Sequence, residues 1–285
     1  MPSSAKTILI TGCSTGGIGA ALTNVLAQAG HTVFATARDP SKIPAALSSY
    51  PNVKVLTLDV VSPESVAAAA VAVKEAGGGL DVLVNNAGGG YTMPLLDVDI
   101  NKAKAVHEVN LWGPLRTTQA FASLLIESKG RVVNISSVAG VINTPWIGVY
   151  SSSKAALNNL SDTLRLELSP FCVSVVSVIL GTVATPFHAN EPDVILSPTS
   201  RYSVIRDTIS KWAKGHAGPK GGSVDELAAS LVDDVVGKGR HGQVWKGANA
   251  GSVKFVSRWV PVSVADSMMS TGQGLDELSK SLTDS

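Results

Sequence analysis

Apolar, β-branched runs alternate along this 285-residue chain with segments of helical period, and that alternation restricts the fold more than any other feature. Strands are predicted at about 6–11, 31–36, 53–58, 80–85, 130–135, 172–180 and 242–246. Helices are predicted near 17–29, 41–48, 63–76, 99–126, 150–168, 193–214 and 224–237. Parallel strands need crossover connections, so this rhythm implies a parallel sheet covered by helices on both faces. Runs such as Val82-Leu-Val and Val173-Ser-Val-Val-Ser-Val-Ile-Leu180 are almost continuously apolar, as strands buried on two sides must be. The fold class is α/β.

Composition narrows the function classes. Hydrophobic residues make up 45% of the chain, ample for a core, and a net charge of +1 gives no reason to invoke nucleic acid or an anionic membrane. Two cysteines, Cys13 and Cys172, form no disulfide framework, and a reducing intracellular compartment is the simpler expectation. The start, Met1-Pro-Ser-Ser-Ala-Lys6, is a short polar arm without a signal-peptide core, and no run approaches the ~20 apolar residues of a membrane span. A soluble, cytoplasmic protein is expected. His107, His188 and His216 show no metal-ligand spacing, so no metal site is expected.

Polar clusters sit where the strands end. The first strand runs into Thr11-Gly12-Cys13-Ser14-Thr15-Gly16-Gly17-Ile18-Gly19 and then an Ala/Leu helix. Glycines let backbone approach a pyrophosphate, and a helix N-terminus offers free N–H groups to the anion. The fourth strand ends in Asn85-Asn86-Ala87-Gly88, and the fifth in Ser136-Ser137, the latter 13 residues before Tyr150. Ligands of open α/β sheets collect at the carboxyl ends of strands, so these clusters should share one crevice. Tyr150 and Lys154, four residues apart on a helix, lie on one face about a turn from each other. An ammonium beside a phenol favours the phenolate, which would make the proton easier to move at neutral pH.

With these residues in place the chain resembles a short-chain dehydrogenase/reductase over about residues 5–188. The resemblance rests on Thr11-Gly12 with Gly17-Ile18-Gly19, Asn86-Ala87-Gly88, Asn110, Ser137, Tyr150 and Lys154. More narrowly, the Cys-containing glycine loop, Arg258-Trp259-Val-Pro261 and Gly274-Leu-Asp-Glu-Leu278 are similar to fungal-type NADPH-dependent 1-acyldihydroxyacetone phosphate reductase-like members. Two departures stand out. Cys13 to Gly16 put four residues where the family has three, leaving open whether Gly16 or Gly17 takes the turn. After the sixth strand Leu180-Gly181 replaces the usual Pro-Gly.

The resemblance implies a Rossmann-type doubly wound sheet of about seven strands in a single domain, 1–285. It implies a substrate-covering insertion at about 186–222, rich in Pro186, Pro192, Pro198 and Pro219, and an apolar extension at about 247–285. That extension, around Val253–Met269, could line the substrate pocket, pack on a partner, touch a lipid surface or simply pack on the domain. Tyr150 is then the general acid, Lys154 binds the nicotinamide ribose and biases the phenol, and Ser137, with Ser136 as the adjacent alternative, holds the substrate oxygen. Asn110 kinks its helix and keeps a water near the lysine. Gly12, Ser14, Thr15, Gly17, Ile18 and Gly19 would cradle the cofactor phosphates. Asp59 and Val60 would frame the adenine, although Asp59 could instead cap a turn before Ser62-Pro-Glu. Asn86, Ala87 and Gly88 would border the ribose, and Val183 and Thr185 would meet the carboxamide.

Cofactor choice is read at the end of the second strand. NAD-preferring members carry an acid where Ala37 stands, and Arg38 follows with a fork of donors suited to a 2′-phosphate. The alternative is a solvated Arg38 with Asp39 on the ribose. NADP(H) is the expected cofactor. The leading reading is NADPH-dependent reduction of a fairly apolar ketone, an acyl-dihydroxyacetone phosphate or a secondary-metabolite ketone. A cyclase, isomerase or dehydratase on the same scaffold, or a cofactor-sensing binding protein, are the alternatives. Arg201, Arg206 and Lys211 could hold a headgroup or form a solvated helix face. The helices at 99–126 and 150–168 form the family's usual interface, so a homodimer or homotetramer is expected.

Overall fold

The computed structural model describes residues 5–77, 79–237 and 241–283; most of the N-terminal polar arm lies outside them. Seven parallel strands form one sheet in the order β3-β2-β1-β4-β5-β6-β7. They are β1 (Thr7–Ile10), β2 (Thr32–Ala37), β3 (Val53–Thr57), β4 (Val82–Asn85), β5 (Arg131–Ser137), β6 (Ser174–Leu180) and β7 (Gly242–Lys246). This is the doubly wound order, with the chain reversing direction across the sheet between β1 and β4. The strands coincide with the predicted ones to within a few residues at their ends.

Strand residues alternate between two cores. Ile8, Ile10, Val82, Val84, Val133, Val176 and Val178 face one side, where α1 (Ile18–Gln28) and α8 (Val224–Val236) add Leu22, Leu26, Leu227 and Leu231. Leu9, Leu83, Val132 and Val175 face the other, against α3 (Pro63–Glu75) and α5 (Gly113–Glu127), which supply Val66, Val73, Phe121 and Leu125. The two-residue period of the strands produces this division directly.

Three predicted helices differ from those observed. The segment 41–48 is a 3-10 turn, Pro40–Lys42, followed by α2 (Ala45–Ser48), because Pro44 cannot continue a helix from its predecessor. The long helix at 99–126 is α4 (Ile100–His107) joined to α5 through a π-turn, Glu108–Trp112. Pro114 has no N–H to give to the Asn110 carbonyl four residues back, and the turn widens there. The predicted helix at 193–214 is only α7 (Arg206–Ala213), with Pro192 and Pro198 keeping the preceding stretch irregular. The fifth predicted helix begins slightly earlier than expected, as α6 (Gly148–Leu168).

The extension folds into α9 (Ala250–Trp259), α10 (Val262–Ser270) and α11 (Leu275–Thr283). The C-terminal helix packs on a third apolar cluster, apart from the two that line the sheet. Leu275 and Leu278 join an apolar cluster of Tyr91, Met93, Trp146, Leu196, Ile205 and Ile209. Trp146 Nε1 donates to the Gln273 carbonyl at 3.2 Å, tying the β5–α6 loop to the segment before α11. Phe255, Trp259 and Val262, by contrast, remain exposed. Among the described residues no helix is long and apolar enough to cross a membrane.

Candidate active site

The turn after β1 settles which glycine does what. Gly16 takes the left-handed conformation, φ +75°, while Gly17 is extended and caps α1. No side chain caps α1 and no acid lies in its first turn, so the N–H groups of Ile18 and Gly19 remain available at the positive end of the helix. Ser14 is half-buried beside them. Thr15 turns away, since its hydroxyl and its N–H both donate to the Lys42 carbonyl, at 2.8 and 2.9 Å. Cys13 is a buried filler whose thiol burial pushes up to about 11, which leaves it unreactive.

Asn86 clamps two loops together. Its amide donates to the Thr11 and Gly12 carbonyls at 2.8 and 3.0 Å. The Thr11 hydroxyl accepts from the Asn86 and Ala87 N–H groups, both at 3.0 Å. Thr11, noticed in the sequence only as part of a motif, is therefore what fixes the β1 and β4 ends to each other. Gly88 follows, with Asn110 and Lys154 immediately beyond it.

Asn110 lies fully buried in the π-turn. Its amide donates to the Gly89 carbonyl at 2.8 Å and to Ser153 Oγ at 3.0 Å, and its oxygen accepts from Gly89 N–H at 2.9 Å. It thus joins the loop after β4 to the helix that carries Tyr150 and Lys154.

Ser137 ends β5 beside the Tyr150 phenol, and its hydroxyl accepts from Ala139 N–H at 3.1 Å. Ser136 is buried, its hydroxyl directed to the Lys154 carbonyl at 3.5 Å, whereas Ser137 is half-buried. Lys154 donates to the Ile135 carbonyl at 2.8 Å, with its Nζ 5.8 Å from the Tyr150 ring centre. Burial pushes the phenol up to about 12, against the Ser137 hydrogen bond that lowers it, and the Glu191 carboxylate adds to the rise. Burial likewise brings the lysine down to about 8. The expected bias toward phenolate is thus reversed in this structure. Enclosure penalises charge on both groups more than the lysine can favour it on the phenol.

Arg38 is exposed just past β2. Asp39 is engaged elsewhere, accepting from the Ser41 hydroxyl and N–H at 2.6 and 3.0 Å, and these bonds hold its carboxyl below the ordinary range. Asp59 caps a turn through Val61 N–H at 3.1 Å, while Ser62 caps α3. Val60 is buried, its carbonyl accepting from Arg116 at 2.6 Å. Val183 pairs with Gly222 in an isolated bridge, and Thr185 precedes the 3-10 turn Pro186–Asn190 without capping it. Arg201, Arg206 and Lys211 are all exposed, as on a solvated surface. Phe187, which sequence reading does not single out, stacks edge-on against Tyr150, and Glu191 behind it bonds Thr92 and His188.

A phenol, a hydroxyl and a lysine, gathered past the carboxyl ends of the strands of a doubly wound sheet, fit the chemistry of a nicotinamide-dependent oxidoreductase. Residues 6–194 match the short chain dehydrogenase family, and the chain belongs to it. Short-chain dehydrogenase PC-15 of Penicillium crustosum is 42% identical over 257 residues, 90% of this chain and 93% of that protein. An NADPH-dependent 1-acyldihydroxyacetone phosphate reductase of Schizosaccharomyces pombe is 34% identical over 244 residues, covering 85% and 82%. Among solved structures, a short-chain dehydrogenase from Streptomyces avermitilis superposes with a TM-score of 0.78 at 27% identity, over 99% of this chain and 100% of that one. One from Burkholderia cenocepacia, in complex with NADP, gives 0.75 at 25% identity, covering 94% and 98%.

Proposed function

We propose that this protein is an NADPH-dependent carbonyl reductase acting on a fairly apolar ketone. The observation that carries the reading is the gathering of Ser137, at the end of β5, with Tyr150 and Lys154 on α6, Lys154 Nζ lying 5.8 Å from the phenol ring centre. When bound, NADPH supplies the hydride. Tyr150 donates its proton to the substrate oxygen, Ser137 hydrogen-bonds that oxygen as negative charge develops, and Lys154 holds the ribose hydroxyls. Asn110 keeps the loop after β4 against α6 so that these groups stay in register.

The residues fit the cofactor. The uncapped α1 N-terminus suits a pyrophosphate, and Arg38 suits a 2′-phosphate while Asp39 is committed to Ser41. Gly12, Ser14, Gly17, Ile18 and Gly19 line the phosphate turn, Asp59 and Val60 the adenine side, and Ala87, Gly88, Val183 and Thr185 the nicotinamide side. Thr15 supports the turn through Lys42. A redox-neutral cyclase, isomerase or dehydratase has less support, because it would not need the full set of three groups.

The apolar cluster around Tyr91, Trp146 and Leu196 supports an apolar substrate, such as an acyl-dihydroxyacetone phosphate or a secondary-metabolite ketone. Exposed Leu166 and Phe171, on and just after α6, support a homodimer or homotetramer. Free Cys13 and Cys172 fit a cytoplasmic setting. Exposed Phe255 and Trp259, with Lys254 and Arg258 on the same helix, would suit peripheral contact with a lipid surface. Following NADPH absorbance against a panel of ketones, with Tyr150→Phe as control, tests the reading. Wild-type turnover that the variant lacks supports it, and no turnover on any ketone refutes it.

A further inference from the structure

The segment after β6 lies across the site, and its contacts land on catalytic parts. Pro186 packs on Gly16 of the phosphate turn. Phe187 stands edge-on to Tyr150, ring centres 5.5 Å apart and planes at 61°. Glu191 follows, its side chain only 3% exposed. A carboxylate so buried must be hydrogen-bonded to be tolerated. Thr92 Oγ1 donates to its Oε2 at 2.7 Å, and His188 Nδ1 lies 2.8 Å from its Oε1. Thr92 belongs to the loop after β4, 99 residues away, so this carboxylate fastens the segment to the opposite wall of the crevice.

The loop is shaped to admit it. A Cβ on Gly90 would fall 2.6 Å from Glu191 Oε1 and 2.8 Å from Phe187 Cε1. Of the three consecutive glycines Gly88, Gly89 and Gly90, it is Gly90 on which both residues press down. We infer that Glu191 is a positioning residue of the active site: bound to Thr92, it holds Phe187 against Tyr150 and so fixes the face on which a ketone meets the phenol. The inference rests on the reductase reading. Burial raises the phenol, and the Glu191 carboxylate adds to that rise against the Ser137 hydroxyl, while Lys154 is the cationic group facing the ring and the His188 imidazole bonds the carboxylate.

The test compares Glu191→Ala, Glu191→Gln and Thr92→Val with wild type on a prochiral aryl alkyl ketone, reading kcat, KM and the enantiomer ratio of the alcohol. Glutamine keeps an oxygen for Thr92 and should rescue. Loosening the geometry should raise KM about tenfold or more in Glu191→Ala and Thr92→Val, with kcat less affected and NADPH affinity unchanged. Enantiomer preference should fall in both, and Glu191→Gln should stay close to wild type. Equal KM and an unchanged enantiomer ratio in Glu191→Ala would overturn the inference, even with a lower Tm. So would Glu191→Gln failing as badly as alanine. Amide exchange over 186–191 gives a readout free of turnover. It should quicken in Glu191→Ala while α6 stays protected, and unchanged exchange would also overturn the idea. If wild type reduces no ketone but exchange quickens, the reductase reading fails and the anchor stands.

Discussion

Lys154 Nζ lies 5.8 Å from the centre of the Tyr150 ring and donates to the Ile135 carbonyl, so one enclosure acts on both groups with opposite sign. It raises the phenol to about 12 and lowers the lysine to about 8. The lysine, whose charged form is disfavoured, loses its proton first as pH rises. With NADPH and a fixed ketone, kcat/KM should therefore fall as pH passes through about 8, while the phenol stays protonated. A pH–rate profile checks this. An unbroken plateau to pH 10 would mean that the ammonium is not required.

Tyr150→Phe should remove nearly all turnover and leave NADPH binding almost unchanged. The ring still packs against Phe187, but the donated proton is gone. General acids contribute about 10²–10⁴-fold, so a variant retaining more than about a tenth of wild-type kcat would mean that Tyr150 is not the acid.

Lys154→Ala should damage both chemistry and cofactor affinity. The lysine is buried and bonded to Ile135, so its loss also empties the space beneath the phenol. Fluorescence titration with NADPH, run beside kcat, separates the effects. Affinity and turnover both at wild-type level would exclude it from the site.

Arg38→Ala should weaken NADPH selectively, by about tenfold, because a charge-assisted hydrogen bond to an exposed phosphate contributes on the order of 1.5 kcal/mol. NADH kinetics should barely move. Ala37→Asp should shift preference further toward NADH, giving the ribose hydroxyls an acceptor. Wild type preferring NADH, or Arg38→Ala slowing both cofactors alike, would end the charge argument.

Gly181→Ala should destabilise the fold. A Cβ there would fall 1.7 Å from the Ala248 carbonyl oxygen, where the chain leaving β6 passes the chain leaving β7. Overpacking of this kind costs about 1–3 kcal/mol, and thermal denaturation should show a lower Tm. A wild-type Tm would mean that the two segments separate freely.

Much of this was legible in the chain because its signals are local. Strands buried on both faces read as runs like Val82-Leu-Val, and motif spacing placed Ser137, Tyr150 and Lys154 together. The helices of the extension were less visible, since valines and Pro261 blur a period that the packing of Leu275 and Leu278 completes. The Thr92–Glu191 bond joins distant residues with no shared pattern, so only the folded chain reveals it. The direction of the Tyr150 shift is not legible in the sequence for a related reason. Spacing shows which group is near, but how much water is excluded depends on segments far away in sequence.

The docking of Leu275, Leu278 and the Gln273 carbonyl on the cluster of Tyr91, Trp146 and Ile205 also sets an order on biosynthesis. The glycine turn, Asn86 and Lys154 all emerge from a ribosome well before the last wall of that cluster exists. A nascent chain can therefore close the Asn86 clamp on the glycine turn while the cluster around Trp146 is still open on one side.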